Sequence, residues 1–217
     1  MVNAVSISAD NKLVAAAGTD GIVTLWERAG KEADPLILPQ GEKAFNVAVS
    51  PDGSVVAVAG RLGKAYLYNI NQRGEPRTLQ CYDGPPRPEV RVESIGLSSD
   101  GALAATGCEK TLQIWDTASG RLVRDVRGAS SRINSLAFAP DGKALATVDN
   151  EGSLTLWDAS TGAILKSVPA HADESFSVAY SRDGTRIATA GRKDYTVKIW
   201  DADTLALKQT LVRATQH

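Results

Sequence analysis

Four side chains toward the C-terminal end carry the groups of a hydrolytic centre: His171, Thr189, Asp194 and Trp200. An imidazole can take a proton from a hydroxyl, and a carboxylate can hold that imidazole in one tautomer, so histidine, threonine and aspartate together invite a nucleophilic-triad reading. Acyl transfer needs more than this: an accessible hydroxyl, and N–H donors aimed at the developing oxyanion. Nothing in the sequence marks such an oxyanion hole. Other reactive chemistry is sparse. His217, the second of two histidines, ends the sequence, and there is no HExxH, no paired-cysteine metal motif and no glycine-rich phosphate loop. Cys81 and Cys108 stand 27 residues apart, in no metal-ligand spacing. A disulfide between them is possible, while the lack of a secretion signal favours two reduced, partly buried thiols without a redox role. The expectation is a protein with no metal, no cofactor and no catalytic site.

The elements that must position these residues are repeats. Residues 133–158, INSLAFAPDGKALATVDNEGSLTLWD, read as three strands at Asn134–Ala139, Ala144–Val148 and Ser153–Asp158. Leu136 and Phe138, then Leu154 and Leu156, alternate with small or polar residues, the period of a strand. Pro140-Asp141-Gly142 and Asn150-Glu151-Gly152 supply hairpin chemistry: proline presets φ, aspartate bonds the backbone ahead of it, and glycine accepts positive φ. The same pattern recurs at Val2–Glu27, Phe45–Asn69, Val92–Asp116 and Phe176–Asp201, and its aromatic marker falls at Trp26, Tyr68, Trp115, Trp157 and Trp200, at spacings of 42, 47, 42 and 43.

A repeat of this length closing on Trp-Asp at 115, 157 and 200, and on Trp-Glu at 26, resembles the WD40 family. The resemblance implies an all-β propeller of five four-stranded antiparallel blades, about residues 2–39, 45–81, 92–127, 133–169 and 175–212 of a single domain 1–217. It adds a fourth, outer strand near Pro35–Leu38, Arg77–Gln80, Leu122–Val126, Ile164–Val168 and Ala206–Leu211. It also recasts His171, Thr189, Asp194 and Trp200 as a structural hydrogen-bond network within one blade. The first repeat keeps only Asp20 and Trp26 of that set, and Glu109 and Glu151 hold the acidic position in repeats three and four without the histidine, so those blades are expected to rest more on packing. No strand is spare to clasp the ring shut. At the wedge of a seven-bladed ring, about 51° per blade, five blades span about 257° and leave a gap two blades wide. An open arc is preferred over a closed five-bladed ring. Its end faces would recruit a partner chain or a second copy, and the segment before His217 resembles the start of another repeat, as in a piece of a longer propeller.

With 24 basic and 25 acidic residues the net charge is −1, so no overall field draws the protein to nucleic acid or an anionic membrane. No run approaches the 18 apolar residues of a membrane span, and the N-terminus lacks a signal-peptide pattern, which makes the cytoplasm the default location. The second repeat departs furthest, with Tyr68-Asn69 for Trp-Asp and Arg61-Leu62-Gly63-Lys64 in its turn. Between it and the third repeat lies a proline-stiffened insertion, Gln80–Arg91. The function the resemblance implies is a non-catalytic scaffold that presents loops to a protein or peptide. The alternative is a sensory or regulatory module whose effector lies elsewhere. The loop face would be contacted through Arg61, Tyr82, Arg87, Arg91, Arg132, Glu174, Arg192 and Lys193.

Overall fold

The computed structural model describes residues 1–27, 32–37, 42–72, 74–82 and 89–212, with the side chains of 32–35 left aside. Five four-stranded antiparallel sheets follow one another in a propeller arrangement, each taking its strands from consecutive sequence. The first blade holds β1 (Val2–Ile7), β2 (Leu13–Gly18), β3 (Ile22–Glu27) and β4 (Glu32–Ile37), and the second β5 (Asn46–Val49), β6 (Val55–Ala59), β7 (Lys64–Asn69) and β8 (Arg77–Gln80). The third holds β9 (Val92–Leu97), β10 (Leu103–Cys108), β11 (Thr111–Asp116) and β12 (Leu122–Arg127), and the fourth β13 (Ile133–Phe138), β14 (Ala144–Asp149), β15 (Ser153–Asp158) and β16 (Ile164–Pro169). The fifth is β17 (Ser175–Tyr180), β18 (Arg186–Gly191), β19 (Thr196–Asp201) and β20 (Leu207–Val212). Only the first outer strand is displaced from its expected place, starting at Glu32. Its ladder skips from Leu36 to Ala33, so Pro35 lies in an irregular stretch where its missing N–H costs no bond.

The turns between first and second strands explain why the pattern repeats. Ser8, Ser50, Ser98 and Ser181 each donate a hydroxyl to the aspartate two residues on, at 2.5–2.7 Å. The same serine oxygens receive the amides of Leu13, Val55, Leu103 and Arg186 at 2.9–3.0 Å, which closes the hairpin. Gly53, Gly101, Gly142 and Gly184 turn the chain at φ of 72–73°, and Asn11 does so at 57° in the first blade. The serine hydroxyl, helped by the backbone amide beyond it, pulls the carboxyls of Asp10 and Asp183 down to about 2, and those of Asp52 and Asp100 below the ordinary range.

Successive blades pack face against face. At each junction the face bearing the third-strand aromatic meets the opposite face of the blade before it: Tyr68 with Val23 and Leu25, Trp115 with Ala57 and Leu67, Trp157 with Leu112 and Ile114, Trp200 with Leu154 and Leu156. Inner strands line up accordingly, β1 beside β5, β5 beside β9, β9 beside β13 and β13 beside β17. Among the described residues no packing of that extent joins β17 to β1, so the arc is open between the fifth and first blades. Side-chain burial follows from that opening. Val5 is 69% exposed, whereas Val47, Ile95, Leu136 and Val178, at the same register position of the other blades, are 4–7% exposed. At the other end Val197 is 37% exposed, whereas Leu154, its counterpart in the fourth blade, is fully buried.

Candidate interaction face and the polar network beside it

Segments that lead from an outer strand into the next inner strand gather at one end of the blades, together with the turns between second and third strands. Backbone bonds hold the two sets together: Val92 N–H donates to Gly60 O at 3.1 Å, Ile133 N–H to Glu109 O at 2.8 Å and Arg192 N–H to Glu174 O at 2.9 Å.

In the fifth blade His171 enters from such a segment, Thr189 from β18, Asp194 from the following turn and Trp200 from β19. His171 Nδ1 lies 2.7 Å from Asp194 Oδ2 and Nε2 lies 2.8 Å from Thr189 Oγ1, while Trp200 Nε1–H donates to the same Oγ1 at 2.9 Å. One proton arrangement satisfies every atom: indole N–H to threonine oxygen, threonine O–H to Nε2, and Nδ1–H to carboxylate. Burial pushes the Asp194 carboxyl up, and the bonds from His171 and from the Thr196 amide and hydroxyl outweigh it, so its pKa is lowered. The order of contacts matches that of a hydrolytic triad, but the geometry does not permit the reaction. Thr189 is 1% exposed and His171 4%, and the threonine oxygen already carries the indole. Gly191 makes room for this packing, since a β-carbon there would run into Asp194 and the His171 ring.

The third and fourth blades keep the centre of this network and change its arms, so they do not rest on packing alone. Trp115 Nε1–H donates to Thr106 Oγ1 at 2.9 Å and Trp157 Nε1–H to Thr147 Oγ1 at 2.8 Å. The place of the histidine is served in the third blade by Cys81, whose S–H reaches Thr106 Oγ1 at 3.2 Å. In the fourth, Asp149 accepts from Ser130 Oγ at 2.6 Å and from the amides of Glu151 and Ser153 at 3.0 and 2.9 Å. The degraded second blade uses tyrosines. Tyr66 O–H donates to the buried Glu42 at 2.9 Å and Tyr68 O–H to Ile37 O at 3.0 Å; burial, reinforced by Glu42, raises both phenols, Tyr68 to about 12.

The contact residues expected from sequence fall on this end of the blades, apart from Arg87, which lies outside the described residues. Arg61 and Arg91 pair as an isolated antiparallel bridge, and the Arg91 guanidinium sits 5.1 Å from the centre of the Phe45 ring. Tyr82 packs partly buried against the core between blades two and three, its carbonyl accepting from Gln80 Nε2 at 2.7 Å. Arg132 bridges Glu93 at 3.3 Å and Glu109 at 2.9 Å, tying the third blade to the fourth. Glu174 holds Arg192 at 2.6 Å, Arg192 lies 5.8 Å over Phe176, and Lys193 pairs with Asp173 at 3.2 Å. Two aromatic residues on this end escaped the sequence reading. Phe176 is exposed beside an irregularity in the β17 ladder, and Tyr195 is exposed at φ 52°, a backbone state unfavourable for a bulky side chain. Their signal was an aromatic at an inner-strand entry and an aromatic in a tight turn, patterns that equally fit buried positions. Among the described residues no cluster of three or more histidines, cysteines and carboxylates is arranged to hold a metal, and no helix is long and apolar enough to cross a membrane.

Comparison with known proteins gives family matches in three stretches of the chain. Residues 125–183 match the family of the anaphase-promoting complex subunit 4 WD40 domain, and residues 1–27 and 77–116 match the WD domain, G-beta repeat family. An uncharacterized WD repeat-containing protein, sll1491 of Synechocystis sp., is 26% identical over 147 residues, which are 65% of this chain and 39% of that protein. Small ribosomal subunit protein RACK1 of Caenorhabditis elegans is 26% identical over 156 residues, 66% of this chain and 46% of the relative. Target of rapamycin complex subunit LST8 of Mus musculus is 28% identical over 118 residues, 54% and 35% respectively. The matched region spans less than half the length of each of these relatives. With five Trp-Asp-type blades, and two WD40 family matches that together cover more than half of its length, the chain belongs to the WD40-repeat β-propellers.

Proposed function

We propose that this protein is a non-catalytic interaction scaffold that binds a protein or peptide through the loop end of its blades, in the cytoplasm and without nucleic acid. One observation carries the reading: the His171, Thr189 and Asp194 groups with reactive potential are closed into the framework, whereas Arg192, Lys193 and Tyr195 in the turn after β18, and Phe176 at the start of β17, stand exposed. Side chains already ordered by ion pairs and ring contacts lose little freedom when a partner binds, and aromatic and arginine residues are the usual anchors of such surfaces. Two relatives bear the names of components of larger assemblies, which supports the reading at the level of the family. Arg87 and Arg91 belong to the same proposed contact set. Alanine at Arg91 and Arg192 is expected to weaken capture of a cross-linked partner while leaving the melting temperature unchanged. Loss of fold in these variants, or undiminished capture, would sink the assignment.

The open arc favours a second reading alongside the first, that of a subunit completed by another chain or by a second copy. Val5, Ile7, Ile22 and Ile37 present an apolar face at one end of the arc, and Val197 and Leu211 at the other. Such faces are characteristic of surfaces that another chain covers. Absolute molar mass by light scattering at two concentrations tests self-association: mass that rises with concentration supports it, and a constant single-chain mass excludes it.

A further inference from the structure

Two cysteines that are distant in sequence meet at the junction of the second and third blades. Cys81 follows β8, Cys108 ends β10, and both are free and buried. Cys81 Sγ reaches Thr106 Oγ1 at 3.2 Å, and Cys108, two residues beyond Thr106 on the same strand, projects from the same face of the sheet. Both side chains belong to the apolar cluster between these blades, Cys81 against Thr106 and Cys108 beside Thr106 on the same face of its strand. The fifth blade shows what they replace. Thr189 and Gly191 hold the positions of Thr106 and Cys108, and the space beside Gly191 is filled by His171 and Asp194. In the third blade the two thiols occupy the corresponding region, and Thr106 still receives the Trp115 indole.

We propose that Cys81 and Cys108 form a reversible redox modification site, oxidised by hydroperoxides to a disulfide that ties the segment leaving the second blade to the third. The neighbouring Cys81 thiol lowers the Cys108 pKa from its ordinary value, whereas that of Cys81 is raised by Cys108 and by burial, which fits Cys108 as the attacking thiolate. Its thiolate attacks the distal oxygen of ROOH; the O–O bond breaks, ROH leaves with a proton, and Cys108 becomes a sulfenic acid. Cys81 sulfur then attacks Cys108 sulfur and gives up its proton, and the sulfenic oxygen departs as water. Two thiols and ROOH thus yield one disulfide, ROH and water, with two electrons passing from sulfur to peroxide. A thiol reductant reverses the bond by exchange. Cys81 and Cys108 are both buried, so a small peroxide reaches Cys108 through local opening of the junction between the second and third blades. The cross-link closes a loop of the chain that includes Tyr82 and Arg91, so oxidation would restrain those two residues at the loop end. The site itself does not depend on the interaction reading.

The test is made on the reduced chain treated with hydrogen peroxide and then quenched. Thiol titration in denaturant is expected to fall from two to none, and a non-reducing digest to contain Cys81 and Cys108 in one linked species, lighter by two hydrogens than its separated peptides. Dithiothreitol should restore both thiols. Cys81→Ser and Cys108→Ser should each lose the internal link, with the remaining thiol stopping at a sulfur acid. Where either variant fails to fold, the digest of the unaltered chain decides. Two thiols still titrating after a dose that consumes free glutathione would overturn the proposal, as would separate sulfinic acids or a disulfide between molecules.

Discussion

Thr147 and Thr189 occupy the same register position in neighbouring blades, opposite Leu136 and Val178 of the inner strands. Thr147 Oγ1 accepts one bond, from the Trp157 indole at 2.8 Å. Thr189 Oγ1 accepts the Trp200 indole at 2.9 Å and pairs with His171 Nε2 at 2.8 Å. Valine matches threonine in shape and lacks the hydroxyl, so it isolates the value of these bonds. Thr147→Val leaves one buried N–H without a partner, a cost of about 1–3 kcal/mol. Thr189→Val leaves two buried nitrogens unpaired and should cost about 2–6 kcal/mol. The difference between the variants, about 1–3 kcal/mol, corresponds to a melting temperature lower by about 2–12 °C for a chain of this size. Equilibrium urea unfolding measures it directly, as a shift in midpoint at constant slope. A Thr189→Val cost no greater than that of Thr147→Val would refute the reasoning, because the histidine arm would then contribute nothing.

Val5→Lys should change stability by no more than about 0.5 kcal/mol, whereas Val178→Lys, at the same position in a covered blade, should cost more than about 3 kcal/mol by burying an unpaired charge. Urea unfolding of both variants checks this, and equal costs would mean that the first blade is covered after all. Acid unfolding should report the serine–aspartate turns. The Asp183 carboxyl is lowered from 3.8 to about 2, so its ionisation supports the fold above about pH 4, and that support is lost as pH falls through about 2. Ser181→Ala removes the leading bond and should flatten the decline of stability between about pH 4 and pH 2. An unchanged slope in a pH series of urea melts would contradict it.

Much of the architecture is local and therefore legible in the residues. A Ser-x-Asp-Gly turn closes through bonds that span five residues or fewer, and alternation along a strand assigns its two faces, so the three inner strands of each blade follow from the repeat and the outer strand came with the family resemblance. The His171, Thr189, Asp194 and Trp200 network was legible only through the family resemblance; hairpin register by itself sets Thr189 beside the strand of Trp200 and leaves His171, which precedes β17, unplaced. The replacements in neighbouring blades were not legible. Cys81 serves a threonine in the following blade, and Asp149 draws on Ser130 from the segment before its own blade, pairings that no repeat pattern specifies. The arginine contacts with Phe45 and Phe176, and the Arg132 bridge to two glutamates, also arise between segments far apart in sequence.

The sequence by itself determined five antiparallel blades, their turns and the aromatic that each turns toward its neighbour, because those features depend on periodicity and on bonds between nearby residues. Only the tertiary structure decided that the arc stays open, that Val5 and Val197 face outward at its ends, and that Cys81 meets Cys108 across a junction. Closure depends on the angle between packed faces, accumulated over every junction, and that sum is written in no single stretch of chain.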